Sequence, residues 1–358
     1  MTEKTAPQSN FLSTIKVGGW TFISRVAGLI RDIFTTNLLG ASIFHDIFVV
    51  VLKIPNVFRK LFAEGAFSQA FIPIYSEYIG SKDDKGSQDF LNALFGILLS
   101  ALFIFTALAL LFAPMFILIF APGFYFDIQK QDLAVSLLRI MFPYLALISL
   151  VAFAAGIQNS HNKFSIPAIT PLIFNLSLIG SAWLVAPKID IPVMALAWGV
   201  LLAGLLQLLF QIAPLATIKK IPIPKIDFHN PGVKKFFILI LPAIVAGGIA
   251  QINLLIDTIF ASLLITGSPT WLYVSDRLIQ FPMGIFAIAI GTVLLPSLSK
   301  AYAQKEIQAY TEQLEHAFKL VFFLAIPSLI GLVLFASPLL ATIFQRGAFL
   351  WVDVHQAS

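Results

Sequence analysis

Cysteine is absent from this chain, which excludes a disulfide, a thiol nucleophile or a thiolate metal site and leaves the redox compartment unread. Charge is scarce: 11% of the residues are Asp, Glu, Lys or Arg, against about a quarter in ordinary soluble domains. Soluble-enzyme signatures are missing too, with no G-x-x-x-x-G-K loop, no G-x-G-x-x-G, no G-x-S-x-G and no H-E-x-x-H. The histidines at 45, 161, 229, 316 and 355 are scattered, no pair has helical ligand spacing, and they read as loop or interface residues rather than metal ligands. The scarcity of charge argues against a soluble globule, and the missing signatures leave no soluble-enzyme motif to follow.

Apolar sequence is what the chain has in abundance. Hydrophobic residues make up 58% of its 358 positions, in runs long enough to cross about 30 Å of hydrocarbon. Short polar stretches separate the runs, the pattern of an all-α, polytopic helical membrane protein rather than a barrel of short alternating strands. Nine spans are predicted, at residues 11 to 38, 43 to 63, 90 to 120, 133 to 157, 166 to 186, 193 to 217, 235 to 265, 271 to 298 and 317 to 345. The first follows a polar decapeptide, contains charges and has no small-residue cleavage site, so it reads as a retained span, not a signal peptide. Between the sixth and seventh, "IKKIPIPKIDFHNPGVKK" combines five lysines with prolines and a glycine, the strongest linker signal in the chain. The predicted organisation is therefore an N-terminal six-helix lobe over 1–218, a linker over 219–234 and a partial second lobe over 235–358.

The net charge of +5 reports topology rather than nucleic-acid binding. If each span crosses once, Lys82, Lys85, Lys163, Lys219, Lys220, Lys225, Lys234, Lys235, Lys300 and Lys305 share one side, and the other holds Lys130, Lys188 and Arg346. The positive-inside rule makes the lysine-rich side, and with it the amino terminus, cytoplasmic. A faint repeat relates residues 20 to 78 to residues 245 to 302, although shared membrane composition explains such a match equally well.

A charge at the bilayer centre costs at least about 2.5 kcal/mol even on lenient scales. Yet Arg25, Arg31, Asp32, Asp46, Lys53, Arg59, Lys60, Arg139, Asp257, Asp276 and Arg277 all fall inside predicted spans. Basic groups are in excess. Each also has a bland reading: Arg59, Lys60 and Arg139 could snorkel to an interface, Arg25 and Arg31 could neutralise Asp32, and Arg277 could pair with Asp276. Taken together, cations from the first, second and eighth spans suggest a wet basic cavity, and planar arginine forks match phosphate oxygens better than other side chains do.

The stretch "SRVAGLIRDIFTTNLLGASIFHDIFVVVLKIPNVFRKLFAEGAFSQAFIPIYSEY" resembles the MurJ (MviN) family, bacterial lipid II flippases of peptidoglycan synthesis in the MOP exporter superfamily. The similarity continues through "NKFSIPAITPLIFNLSLIG", "YVSDRLIQFPMGIFAIAIGTVLLPSLSKAY" and "FQRGAF", with "PNVFRKLFAEGAFSQAF" the most specific element. The resemblance implies a two-lobe, MOP-type transporter in the bacterial inner membrane, moving lipid II from the cytoplasmic to the periplasmic leaflet by alternating access. It implies no cofactor, with a sodium ion or the membrane potential for coupling, and as partners lipid II and membrane lipid, not nucleic acid. Against the family pattern the chain reads as cut short after about nine spans, leaving the second lobe incomplete. Position by position, Arg25, Arg31, Asp46, Arg59 and Arg277 match the family's substrate-binding charges, while Glu64 and Gly65 belong to the "AEGAFSQAF" signature and are assigned to gating. Asp257 matches a position where some relatives bind sodium, and a buried carboxylate bonded to Thr258 or Asn253 is an equal alternative. Other readings remain open: a related exporter of drugs or lipid-linked glycans, a membrane-embedded polyprenyl-diphosphate transferase, or a nonfunctional fragment. The acidic pair Asp83 and Asp84, which a transferase would need, lies between lysines and reads as solvated.

Overall fold

The computed structural model describes residues 6–60, 65–289, 295–304 and 306–358, and every regular element among them is helical. The chain divides into two compact units, Met1–Pro269 and Thr270–Ser358. Helices α1 (Ala6–Leu39), α2 (Ile43–Phe58), α3 (Ala66–Gly80), α4 (Asp84–Leu111), α5 (Ala113–Phe120), α6 (Pro122–Tyr125), α7 (Ile128–Met141), α8 (Tyr144–Ser160), α9 (Ser165–Gly180), α10 (Pro192–Thr217) and α11 (Pro231–Leu263) build the first unit. A π turn, Ser181–Val185, and a 3₁₀ turn, Ala186–Lys188, follow α9. The second unit contains most of α12 (Ser268–Ala289), together with α13 (Leu295–Ala303), α14 (Ile307–Phe344) and α15 (Trp351–Ala357).

Six segments among the described residues are long and apolar enough to cross a membrane: Asp84–Leu111, Ile128–Ser160, Ser165–Lys188, Pro192–Thr217, Pro231–Ile249 and Ile307–Phe344. Their starts are written in local chemistry. The Asp83 carboxylate accepts from Gly86 N at 2.8 Å, Asp127 from Gln129 N at 3.1 Å, and Asn230 from Gly232 N at 2.9 Å, satisfying N–H groups that a helix leaves open. Pro192 and Pro231 open α10 and α11, where a missing N–H costs nothing.

Two buried clusters hold the first unit. One joins α2, α5, α7, α8 and α10 through residues such as Ile47, Ile54, Phe142 and Leu196. The other is aromatic: Phe71 stacks on Phe67 and Tyr75, each at 5.3 Å, and on Phe90 at 5.9 Å. Apolar side chains also cover the outside, among them Phe103, Ile104 and Leu111 on α4, as lipid-facing helices require. Helix packing in lipid depends on close fit more than on water exclusion, and α11 shows how the fit is made. At its start Gly232 leaves no room for a Cβ against Phe90 and Tyr78, and near its end the backbone of Ser262 fills the space beside Gly123. Gly123 N also donates to Ser262 Oγ at 3.2 Å, so α11, placed in the second lobe by the sequence division, packs at both ends onto the preceding helices.

The segment read as a linker is not loose. In Ile221-Pro222-Ile223-Pro224-Lys225 the prolines remove alternate N–H groups, and the two donors that remain after them both go to Asn92 of α4. Ile223 N donates to Asn92 Oδ1 at 2.8 Å and Lys225 N to Asn92 O at 3.1 Å. Gly96, one turn on, admits the Lys225 backbone where a Cβ would collide. Gln88 Nε2 donates to Ile221 O at 3.1 Å, and Lys220 Nζ reaches Asp84 Oδ1 at 2.8 Å and Ser87 Oγ at 3.0 Å. Residues 220–225 therefore form a strap along α4. In the second unit, Trp271 Nε1 donates to Asp353 Oδ1 at 3.2 Å and Ser275 Oγ to Ala357 O, tying α12 to α15.

Candidate functional site

The intramembrane charges of the first unit fall into separate environments. Adjacent helix residues point about 100° apart, but the long Arg31 side chain bends back so that Nε and Nη2 both donate to Asp32 Oδ1, at 3.0 and 2.7 Å. Its Nη1 crosses to α9 and donates to Asn175 Oδ1 at 3.0 Å. Phe174, the neighbour of Asn175, places its ring centroid 5.6 Å from the guanidinium carbon, within cation–π range. Asn175 completes the link by donating Nδ2 to Ser24 O at 2.9 Å. Gly28 faces the same amide, and a Cβ there would meet it in ordinary contact at 3.6 Å. Arg25, on the same helix, is exposed. The structure thus gives Arg31 and Asp32 the neutralising pair weighed from sequence, joins it to α9, and leaves Arg25 outside the cluster.

Asp46 lies in the first turn of α2, where a carboxylate suits the helix dipole, and is 2% exposed. Its Oδ2 accepts from Gly267 N at 2.6 Å. Gly267 has φ 103°, a conformation open to glycine, and sits in the turn between α11 and α12. His45 Nδ1 bonds to Gly40 O at 2.7 Å and secures the preceding turn. The acid expected at the substrate therefore fastens a turn of this unit through a backbone N–H.

Arg59 follows Pro55 and is half-buried, donating Nε to Asn56 Oδ1 at 3.2 Å while Asn56 Nδ2 donates to Leu52 O at 2.9 Å. Lys60 is exposed and Gly65 half-buried at the head of α3. Glu64 lies outside the described residues. Arg139 is exposed and donates to Leu110 O at the end of α4, at 3.3 Å, where a cation complements the helix dipole. Asp257 is exposed on α11, and Thr258 turns its hydroxyl to Leu254 O at 2.6 Å, so the buried-carboxylate alternative does not hold. No group of three His, Asp or Glu side chains suited to a metal occurs among the described residues. In the second unit Arg277 donates Nη2 to Tyr273 OH and Nη1 to Gln280 Oε1, both at 2.8 Å, with its guanidinium carbon 5.0 Å from the Tyr273 ring centroid.

Neutral amides are what the sequence reading missed. Asn175 is one; a buried network on α8, α9 and α10 is another, where Gln158 donates to Gln211, Gln211 Nε2 to Thr170 Oγ1 at 2.7 Å and Gln207 Nε2 to Thr170 O at 2.9 Å. Their signal was available, since an amide inside an apolar run needs a partner as a charge does. At the lysine-rich end, Tyr75 OH and His161 Nε2 bond at 3.0 Å beside the strap. Lys220 holds the Asp84 carboxyl below its ordinary value, and burial, then Lys220 and Lys163, hold His161 below its own. With Asp83 capping α4 and Asp84 paired to the strap, the two acids do not form the cation-binding cluster a transferase would use.

Comparison with known proteins gives a consistent result. A family model described as lipid II flippase MurJ matches residues 35–358. A Vibrio cholerae protein named "Probable lipid II flippase MurJ" is 40% identical, with 100% of this chain and 70% of that protein covered. A Burkholderia cenocepacia "Lipid II flippase MurJ" is 39% identical, with 96% and 67% covered. Among solved structures, "Lipid II flippase MurJ, inward closed conformation" superposes with a TM-score of 0.82 at 29% identity, covering 96% of this chain and 70% of that one. A multidrug resistance MATE transporter of the MOP superfamily shares the fold, with a TM-score of 0.73 at 14% identity and coverage of 96% and 78%.

Proposed function

Because the chain belongs to the MurJ family of lipid II flippases, we propose that it takes part in moving lipid II across the bacterial inner membrane, with arginines receiving the diphosphate. It is a multi-pass membrane transporter rather than an enzyme. The chain spans 70% and 67% of the length of the two relatives described. The observation that supports the reading best is a guanidinium, that of Arg31, fixed between α1 and α9 in a helical unit whose outer surface is apolar.

The chemistry follows from the substrate's two halves. The polyprenyl tail stays in lipid, whereas sugars, peptide and diphosphate would lose water at several kcal/mol per unpaired polar group. Donors along the path replace that water. Arg25, Arg31 and Arg59 are the proposed diphosphate ligands of the first unit, and Arg277, on its "DRL" motif, is the proposed ligand of the second. The proposed lobes are 1–218 and 235–358, joined through 219–234, with the amino terminus cytoplasmic and the strap on the cytoplasmic side. In that orientation the Asp46 to Gly267 bond lies at the periplasmic end of the first unit. With the cytoplasm negative, carrying two negative charges outward gains about 4 to 5 kcal/mol per 100 mV if they cross the whole field, so the membrane potential, beside a sodium ion, is a proposed coupling source.

The test is depletion of a host flippase followed by complementation with this chain and with a version extended to the length of its relatives. Rescue by either supports the reading, and rescue by the longer form alone shows that residues 1–358 are insufficient. Rescue by neither overturns it. In the rescuing form, Arg25→Ala and Arg277→Ala are expected to abolish growth and Arg25→Lys and Arg277→Lys to impair it; full growth with all four would remove the arginine assignment.

A further inference from the structure

We infer that Asn175 is a positioning residue for Arg31, setting the direction in which its guanidinium meets the diphosphate; this rests on the reading that Arg31 is a substrate ligand. Asp32 supplies the countercharge, but it is the next residue of the same helix and fixes Arg31 only relative to α1. Asn175 holds the guanidinium from another helix, accepting Nη1 at 3.0 Å.

The amide can stand only one way round. Its oxygen faces the guanidinium, which has only donors, and its nitrogen faces the Ser24 carbonyl at 2.9 Å, which only accepts. Reversal would oppose donor to donor and acceptor to acceptor at the two ends. Phe174 adds its ring face at 5.6 Å, so consecutive residues of α9 grip one cation.

Neutrality of the anchor matters as much as its geometry. Asp32 already balances the charge of Arg31, so attraction for an anion depends on how the planar fork is presented rather than on net charge. A second carboxylate at position 175 would hold the guanidinium but tip the local charge negative. An amide holds it without that cost.

The experiment measures binding of undecaprenyl diphosphate to the chain in nanodiscs of phosphatidylethanolamine and phosphatidylglycerol, with Tm recorded on the same samples. Asn175→Leu is expected to weaken binding about tenfold, the scale of a hydrogen bond to a charged group. It should have no further effect in an Arg31→Ala background. Asn175→Asp keeps the oxygen that accepts from Arg31 but sets a second acceptor against the Ser24 carbonyl, so its Tm should fall about as far as that of Asn175→Leu while its affinity falls further. Affinity that follows Tm across both variants, or an Asn175→Leu loss of equal size with and without Arg31, means a packing role and overturns the inference. Parental affinity in Arg31→Ala overturns the underlying reading of Arg31 and the inference with it.

Discussion

Two ion pairs in the first unit have nearly the same length and opposite surroundings. Arg31 and Asp32 meet at 2.7 Å with side chains 11% and 1% exposed, whereas Lys220 and Asp84 meet at 2.8 Å with Asp84 93% exposed. In the first, neither partner can recover its water when the other is removed. In the second, the carboxylate keeps its water throughout and only the lysine is committed. The difference teaches that bond length says little about what an ion pair holds together. The inner pair, through Asn175, joins α1 to α9, while the outer one is a single fastening among several on the strap.

The largest effect should come from stranding a buried charge. Asp32→Ala leaves the Arg31 guanidinium without its carboxylate and is expected to destabilise the unit by about 3–5 kcal/mol, whereas replacing both partners, Arg31→Met with Asp32→Leu, should recover most of that loss. Reversible unfolding in detergent measures both. Equal stability of Asp32→Ala and the parent would break the contrast between the pairs.

A smaller effect is expected on the strap. Asn92→Leu removes the oxygen that accepts Ile223 N but leaves the backbone carbonyl that accepts Lys225 N. The expected cost is about 1 kcal/mol, read as faster hydrogen exchange at Ile223 than at Lys225. Contacts between α1 and α9 should be untouched. If exchange accelerates equally along 221–225, the strap is held by that one side chain and not by the proline-spaced backbone.

The sequence made the membrane class legible because hydrocarbon imposes long apolar runs that no partner can disguise. It also exposed the arginines, whose cost in such runs is high. Their partners were less visible. Arg25 and Asp32, seven residues apart, share a helix face, yet Arg31 took Asp32 because a long side chain can turn back along its own helix. The partners Asn175 and Gly267 lie far along the chain from Arg31 and Asp46, and no local pattern announces such a pairing. The linker shows a related limit: prolines and lysines mark a segment that cannot be helical, but not whether its remaining N–H groups find acceptors. Here Asn92 supplies both.

The smallest expected effect is also the one that separates the two pairs under unchanged sequence. Lys220 holds Asp84 below the ordinary 3.8, so its contribution to the strap is complete above that pH and is lost as pH falls through the lower folded value. His161 is likewise lower in the folded chain than its ordinary 6.5, because burial and the lysines at 220 and 163 disfavour its cation. An unfolded chain therefore takes up that proton first, and the histidine's contribution begins to decline below pH 6.5, before that of Asp84. Exchange at the Ile223 and Lys225 amides, corrected for intrinsic rates, should rise in two steps on acidification, and Asp84→Asn should remove the more acidic one. Raising salt should loosen the same amides, since exposed charges are screened within about 8–10 Å, and should leave the Arg31 pair in place because buried charges are screened far less. A strap insensitive to both acid and salt would show that Asn92, Gln88 and Gly96 hold it without help from the lysine.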